Sequence, residues 1–255
     1  MWRPTAASCW SVEHREAGDA MCRERPAPPV HLRANRDFTH RAVRHLAREM
    51  GIRRFPDIGT GIPASPNLHE IAQEATPGAR AVHADNDPLV LALSRGLLSG
   101  TPVGRTAYVA ADMRDPAAVF GAPGFRETLD LPEPVALTVI AFVHFTLDEH
   151  DAVGIVRRLL EPLPSGSCPA MSVGTADFTP DEVGRVAREY AARGMPMRLR
   201  THAEAAEFFE DPDLVEPGVG QAHKWRPNRT DGMESGGESI RDEDIARYGA
   251  VARKP

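Results

Sequence analysis

PVALTVIAFVHF, residues 134–145, constrains this chain more than any other stretch. It is apolar almost throughout, so a strand built from it has both faces buried, as in a parallel sheet with helices on each side. Parallel strands need crossover connections long enough to hold a helix. The rest of the chain supplies them. IRRFPDI (52–58), RAVHAD (80–85), RTAYVAAD (105–112) and SCPAMSVG (167–174) read as further strands. Helices are predicted over Asn67–Glu74, 88–98, 115–120, Asp148–Leu160, Pro180–Arg193 and Ala203–Glu210. Ahead of them, Phe38, Ala42, Val43, Leu46, Ala47 and Met50 recur at helical spacing behind Asn35, a candidate cap, and Gly51 ends the pattern. LVEPGVG (214–220) and YGAVARK (248–254) read as a closing hairpin across a long loop. This alternation predicts an α/β fold: an open, mostly parallel sheet with helices on both faces. One residue resists. Pro56 has no N–H to give a ladder and argues against a central place for the first strand.

Residues 1–30 carry no hydrophobic period, and RERPAPPV (23–30) reads as a linker. The predicted organisation is an irregular extension, 1–30, then a single domain, 31–255, with a mobile loop near 228–244 (NRTDGMESGGESIRDED). A net charge of -6 gives no basic field for a phosphate backbone, so no nucleic-acid partner is expected. The longest apolar run is about half of what a membrane crossing needs, and MWRPTAASCW has no apolar signal region, so no membrane partner is expected. Three cysteines at unpatterned spacings read as reduced, cytoplasmic thiols. The ten histidines form no HxxH, HExxH or Cys/His arrangement, so no metal is expected.

Ligands of open parallel sheets sit outside the carboxyl ends of the strands, so the residues there carry the chemistry. Asp57, Gly59, Thr60 and Gly61 follow the first strand, where glycine permits a sharp turn and close approach of a ligand. Strand two ends in Asp85 and Asn86; an acid 24 residues after Gly61 stands where a ribose diol is gripped. Strand three ends in Asp112 and Met113, a carboxylate for an exocyclic amine beside a thioether for an aromatic ring. Strand four ends at Ala141 and Phe142. Each of these also has a plain reading, as tight turn, helix cap or loop carboxylate. Together, three acids repel a pyrophosphate and suit a nucleoside with a cationic centre and a free amine. S-adenosylmethionine has those parts.

ANRDFTHRAVRHLAREMGIRRFPDIGTGIP, NLHEIAQEATPGARAVHADNDPLVL, GRTAYVAADMRDP and PVALTVIAFVHF carry a more specific signal, with LRTHAEAAEFFEDPDLVEPGV, HKWRP and YGAVARKP farther on. In these words the chain resembles an actinobacterial S-adenosyl methyltransferase family, long catalogued as a domain of unknown function, within the class I methyltransferases. The resemblance implies a Rossmann-like class I methyltransferase sandwich: a mostly parallel seven-stranded sheet, its last strand antiparallel, with helices on both faces. It assigns Asp57, Gly59 and Gly61 to the loop beside the methionine moiety, Asp85 to the ribose and Asp112 to the neighbourhood of adenine. Thr60, Asn86, Met113, Ala141 and Phe142 complete the expected cofactor set. The implied activity is methyl transfer from S-adenosylmethionine to an unidentified, small-molecule acceptor.

His144, just beyond strand four, is the best-placed candidate for a general base if the acceptor must lose a proton. The alternative is a histidine that packs beneath the site. Similarly, Trp225 reads as an acceptor-side aromatic or a core anchor. The family's usual tyrosine- and glycine-rich opening has no counterpart between Met1 and His31, so a more exposed cofactor and low turnover are expected. Two other readings stand beside the enzyme: a cofactor-binding protein of the same fold with little activity, and a nicotinamide-dependent oxidoreductase. Ala64, in place of a third glycine, and the helix-blocking Pro63 and Pro66 speak against the last.

Overall fold

In a computed structural model the described residues are 27–97, 101–129, 131–227 and 240–255. They form one sheet flanked by helices, with strands in the order β3-β2-β1-β4-β5-β8-β6 and β7 also paired to β8. The strands are β1 (Arg54–Ile58), β2 (Arg80–Asp85), β3 (Arg105–Ala110), β4 (Ala136–Val139), β5 (Cys168–Gly174), β6 (Asp213–Leu214), β7 (Gly220–Gln221) and β8 (Arg247–Arg253). The first five run parallel, and β8 is antiparallel to β5. The expected closing hairpin is present in fragments. β6 and β7 are two residues each and both pair with β8, so together they occupy the place of one broken strand. The sheet therefore has eight strands by count and seven by position.

The first helix, α1 (Ala27–Arg48), begins eight residues before Asn35, which lies inside it rather than at its start. The proline pair read as a linker is the reason. Pro28 and Pro29 fall in the first turn, where backbone N–H groups have no intrahelical partner and proline costs nothing. Most of the expected irregular extension lies outside the described residues, as does most of the loop near 228–244. α2 (Leu68–Ala75) opens where expected, with the Glu70 carboxylate accepting the Asn67 backbone N–H. α3 (Pro88–Leu97), α4 (Pro116–Gly121), α5 (Pro123–Thr128), α6 (Ala152–Leu160), α7 (Pro180–Ala192) and α8 (His202–Ala206) are the other α-helices among the described residues.

Two apolar clusters cover the two faces. One joins Ile58, Val82, Leu137 and Val139 to α6 through Ile155, Val156 and Leu159. The other joins Phe55, Ala81 and Ala170 to Phe38, Val43 and Leu46 of α1 and to Ile71 of α2. Trp225 is fully buried in the second, with its ring edge-on to Phe38 at 5.6 Å, so it is a core anchor. Phe208 and Phe209 are buried core residues.

Pro56 does occupy the central strand. Its carbonyl faces β4 and accepts Thr138 Oγ1 at 3.3 Å, so the missing N–H falls on the same edge. That edge is joined to β4 at the single register pair Asp57–Thr138. The sheet thus lacks one ladder donor on this edge, at Pro56.

Candidate functional site

Register places four polar side chains in one row. Asp57 of β1 is paired with Thr138 of β4 on one side and with His83 of β2 on the other, and His83 with Tyr108 of β3. Thr138 Oγ1 donates to Asp57 Oδ1 at 2.8 Å, and His83 Nδ1 lies 2.9 Å from Asp57 Oδ2. Tyr108 stacks on the His83 ring at 4.7 Å. Burial alone would raise the Asp57 carboxyl, but hydrogen bonds from His83, Thr60 and Thr138 outweigh it and hold the group below the usual carboxylate range. A buried, stably ionised acid thus ends the central strand.

Beyond Asp57 the chain turns through Gly59 (φ 70°) and Gly61 (φ 66°), backbone that side-chain-bearing residues rarely adopt. A Cβ at Gly59 would overlap the Phe142 ring, whereas one at Gly61 would meet nothing. The Gly61 N–H donates to Asp85 Oδ2 at 2.9 Å, and the Asp87 N–H to Asp85 Oδ1 at 2.9 Å. Burial pushes the Asp85 carboxyl up; these two N–H groups oppose it, while the charges of Asp87 and Asp57 add to it. β4 ends after four residues instead of running to Phe145. Ala141 bends it, with φ 55° in the left-handed region, and its N–H is held by Ser172 Oγ at 2.9 Å. That bend turns Phe142 across Gly59.

These residues line a cleft of about 480 Å³ closed on its far side by α1. Of the expected cofactor residues, Asp57, Gly59, Thr60, Gly61, Asp85, Asn86, Ala141 and Phe142 line it. Asp112 and Met113 do not. Met113 is buried in the core, and the Asp112 carboxylate is engaged by Arg114 (Nε–Oδ1 3.0 Å), two residues on. Asp112 touches the lining through Asn86, whose Nδ2 donates to it at 3.3 Å.

His144 also lies off the cleft. It is buried, packed against Gly174, and burial followed by the charges of Arg247, His31 and Arg200 pushes its pKa well below the ordinary value. Burial and the nearby arginines make such an imidazole a poor proton acceptor, which favours the alternative of a histidine that packs beside the site over a general base.

α1 forms one wall. By sequence Asn35 and Arg36 could line the cofactor's mouth or simply cap and solvate the helix; both line the cleft, and Asn35 Oδ1 is buried there without a partner. Sequence reasoning missed Arg33 and His40 beside them. It also missed His83 and, behind it, His69 of α2, whose Nδ1 lies 3.1 Å from His83 Nε2. The available signal was a histidine two residues before Asp85, inside an otherwise apolar strand.

A cleft at the carboxyl ends of β1, β2 and β4, in a sheet with one antiparallel strand, defines a class I methyltransferase. The profile of the S-adenosyl methyltransferase family matches residues 9–255, which includes most of the segment preceding α1. The chain belongs to that family. It is similar to a DUF574 family protein of Streptomyces avermitilis, at 69% identity over 97% of this chain and 93% of that one, with a TM-score of 0.91. It is also similar to a methyltransferase-like protein of Thermobifida fusca, described as a methyltransferase by assignment only, at 32% identity over 94% and 87% of the two chains, TM-score 0.81. The plantazolicin methyltransferase BamL shares the fold at 10% identity over 96% and 92%, TM-score 0.62. No curated protein matches the chain. The protein is thus an S-adenosylmethionine-dependent methyltransferase. Among the described residues no helix is long and apolar enough to cross a membrane.

The residues fit that cofactor. Its hydroxyls and ammonium are donors, and the cleft presents acceptors: the Asp85 carboxylate and the unpartnered Asn35 Oδ1.

Proposed function

We propose that Asp85 grips the ribose hydroxyls of S-adenosylmethionine, that Asp57 and Asn35 face the ammonium of its amino-acid tail, and that the methyl group passes to a small-molecule acceptor. The observation that carries this reading is the Asp85 carboxylate, buried at a strand end and hydrogen-bonded to the N–H of Gly61 in the turn opposite. When bound, the sulfonium supplies an activated methyl group with a good leaving group. This chain's residues then have to orient and to exclude water. Phe142 covers the turn at Gly59, and α1 closes the cleft from above. Asp112 supports the adenine end through Asn86, a reading supported by the hydrogen bond that links it to the lining, with Met113 buried in the core next to it in sequence. Thr60 and Thr138 keep Asp57 charged. A cytoplasmic setting belongs to the same proposal, supported by the free, buried Cys168, whose thiol burial pushes up to about 11.

Calorimetry with S-adenosylmethionine, S-adenosylhomocysteine and NAD tests the reading. Heat with the first two and none with NAD is the expected result. Binding of NAD alone would end it.

A further inference from the structure

A second polar cluster lies beside the cofactor cleft, at the carboxyl ends of β4 and β5. Arg247 opens β8 directly opposite Gly174, the last residue of β5. Its side chain is buried, at 7% exposure, and its Nη1 has no hydrogen-bond partner. Among the described residues its Nε and Nη2 reach Nε2 of His31 alone, at 3.3 and 3.1 Å. His31 is an inadequate acceptor. Its Nδ1 already faces the Ala246 N–H at 3.3 Å, and a neutral imidazole has one lone pair for these two sets of donors. Burial, then the charge of Arg247, pushes His31 down to about 3, so it offers no charge in return. No carboxylate of the described residues reaches the guanidinium. Asp177 is occupied by the Tyr248 hydroxyl at 2.7 Å and the His202 N–H at 2.9 Å, and Asp148 by Arg198 at 2.8 Å.

His144 belongs to the same cluster. Its ring lies against Gly174, its Nδ1 is buried and unpartnered, and Arg247, His31 and Arg200 all bear on its charge. A buried guanidinium short of acceptors, beside a second unpartnered ring nitrogen, lacks an anion. The cluster shares both walls with the cleft. Leu32 and Arg33 line the cleft next to His31, and Phe142 lines it two residues before His144. Phe145, 4.4 Å from the His144 ring, and Tyr190, 6.1 Å from Phe145, add an aromatic side.

We propose that the methyl acceptor of this enzyme carries a carboxylate, bound by the Arg247 guanidinium with His31 and His144 beside it. This rests on the methyltransferase reading of the neighbouring cleft. A carboxylate presents two oxygens to the planar fork of an arginine and leaves lone pairs for a ring N–H, which a neutral amide does not match.

Benzoate and benzamide serve as probes, titrated calorimetrically into the protein with and without saturating S-adenosylhomocysteine. Benzoate is expected to bind, and benzamide to bind roughly ten-fold or more weakly, the scale of a charge-assisted hydrogen bond. Arg247→Gln should lose benzoate while keeping S-adenosylhomocysteine affinity within about two-fold, since the cation is assigned to the acceptor. If that variant does not fold, Arg247→Lys, which keeps the charge but not the fork, decides: weakened benzoate binding supports the proposal and unchanged binding overturns it. Absence of benzoate binding, or equal binding of the two probes, also overturns it. A parallel loss of S-adenosylhomocysteine affinity in Arg247→Gln would give the cation to the cofactor's own carboxylate and overturn it as well. Failure of S-adenosylhomocysteine to bind the wild type would instead strike the cofactor reading, and the benzoate titration without it would still judge Arg247.

Discussion

Nδ1 of His83 lies 2.9 Å from Oδ2 of Asp57, while Nε2 of the same ring lies 3.1 Å from Nδ1 of His69. The carboxylate accepts, so His83 Nδ1 carries a proton, and one further proton is shared between His83 Nε2 and His69 Nδ1. His69, pushed down to about 4 by burial and then by His83, stays neutral at physiological pH. The chain from α2 through β2 therefore ends on an ionised carboxylate, Asp57, at the floor of the cleft.

Removing His83 should expose that charge to its desolvation cost. His83→Leu leaves Asp57 without its largest compensating bond, and stability at pH 7 should fall by ~1–3 kcal/mol in urea titrations. The sign follows from the depressed carboxyl. Its contribution is present above the ordinary 3.8 and is lost as pH falls through the lower folded value. In the variant that contribution is absent, so its stability should fall less than the wild type's as pH drops below 4. A gap between variant and wild type that is the same at pH 7 and at pH 2 would refute the coupling.

Asp85 behaves in the opposite sense. Burial raises its carboxyl above the ordinary 3.8, so on acidification it protonates before Asp57 and stops accepting from two hydroxyls. Affinity for S-adenosylhomocysteine should fall as pH drops through that raised value. Asp85→Asn should cost ~1–3 kcal/mol at pH 7 and remove this part of the pH dependence. Calorimetry at pH 7, 6 and 5 checks both; an Asn variant that follows the wild-type profile would assign the acid limb elsewhere.

Alanine at the two turn glycines should separate backbone from packing. Gly61→Ala faces open space and should cost about 1–2 kcal/mol for its φ of 66° alone. Gly59→Ala carries the same backbone penalty and also displaces Phe142, adding ~1–3 kcal/mol. Its cofactor affinity should fall further than that of Gly61→Ala, because Phe142 lines the cleft. Equal effects in melting and binding would show that the Phe142 contact is soft.

Arg41 ties the cleft's wall to the C-terminal part of the chain. Its Nε donates to the Trp225 carbonyl at 2.8 Å and its Nη2 to the Ala222 carbonyl at 2.7 Å, both buried. Arg41→Met should leave the Trp225 carbonyl without its donor and the Ala222 carbonyl with only the Trp225 N–H, at ~1–3 kcal/mol for the orphaned group. For a domain of this size the midpoint of thermal unfolding should drop by about 2–4 °C per kcal/mol. Cofactor affinity should fall with it, since α1 supplies Asn35 and Arg36 to the cleft. A lowered midpoint with affinity intact would separate the anchor from the site.

By itself the sequence determined the layer order and the acids at the strand ends. Both follow from local properties: a strand such as β4 is recognised by its continuous apolar run, and the carboxyl end of β2 by the polar residue that stops it, Asp85. Whether a residue at such an end faces the ligand is not a local property. Asp112 reads like Asp85, yet Arg114 engages it, while Asp85 is met by a turn 24 residues earlier. His144 reads equally as a titrating base or a packed histidine, because a lone histidine's surroundings are not local; packing against Gly174 and the charge of Arg247, 103 positions away, favour the second. The row Thr138–Asp57–His83–Tyr108 needs the register of four strands, which depends on how β1, β2, β3 and β4 pair and not on any one segment. Local pattern decides which elements form. Long-range pairing decides which of their polar groups share a low-dielectric space, and that sharing sets their charge and their chemistry.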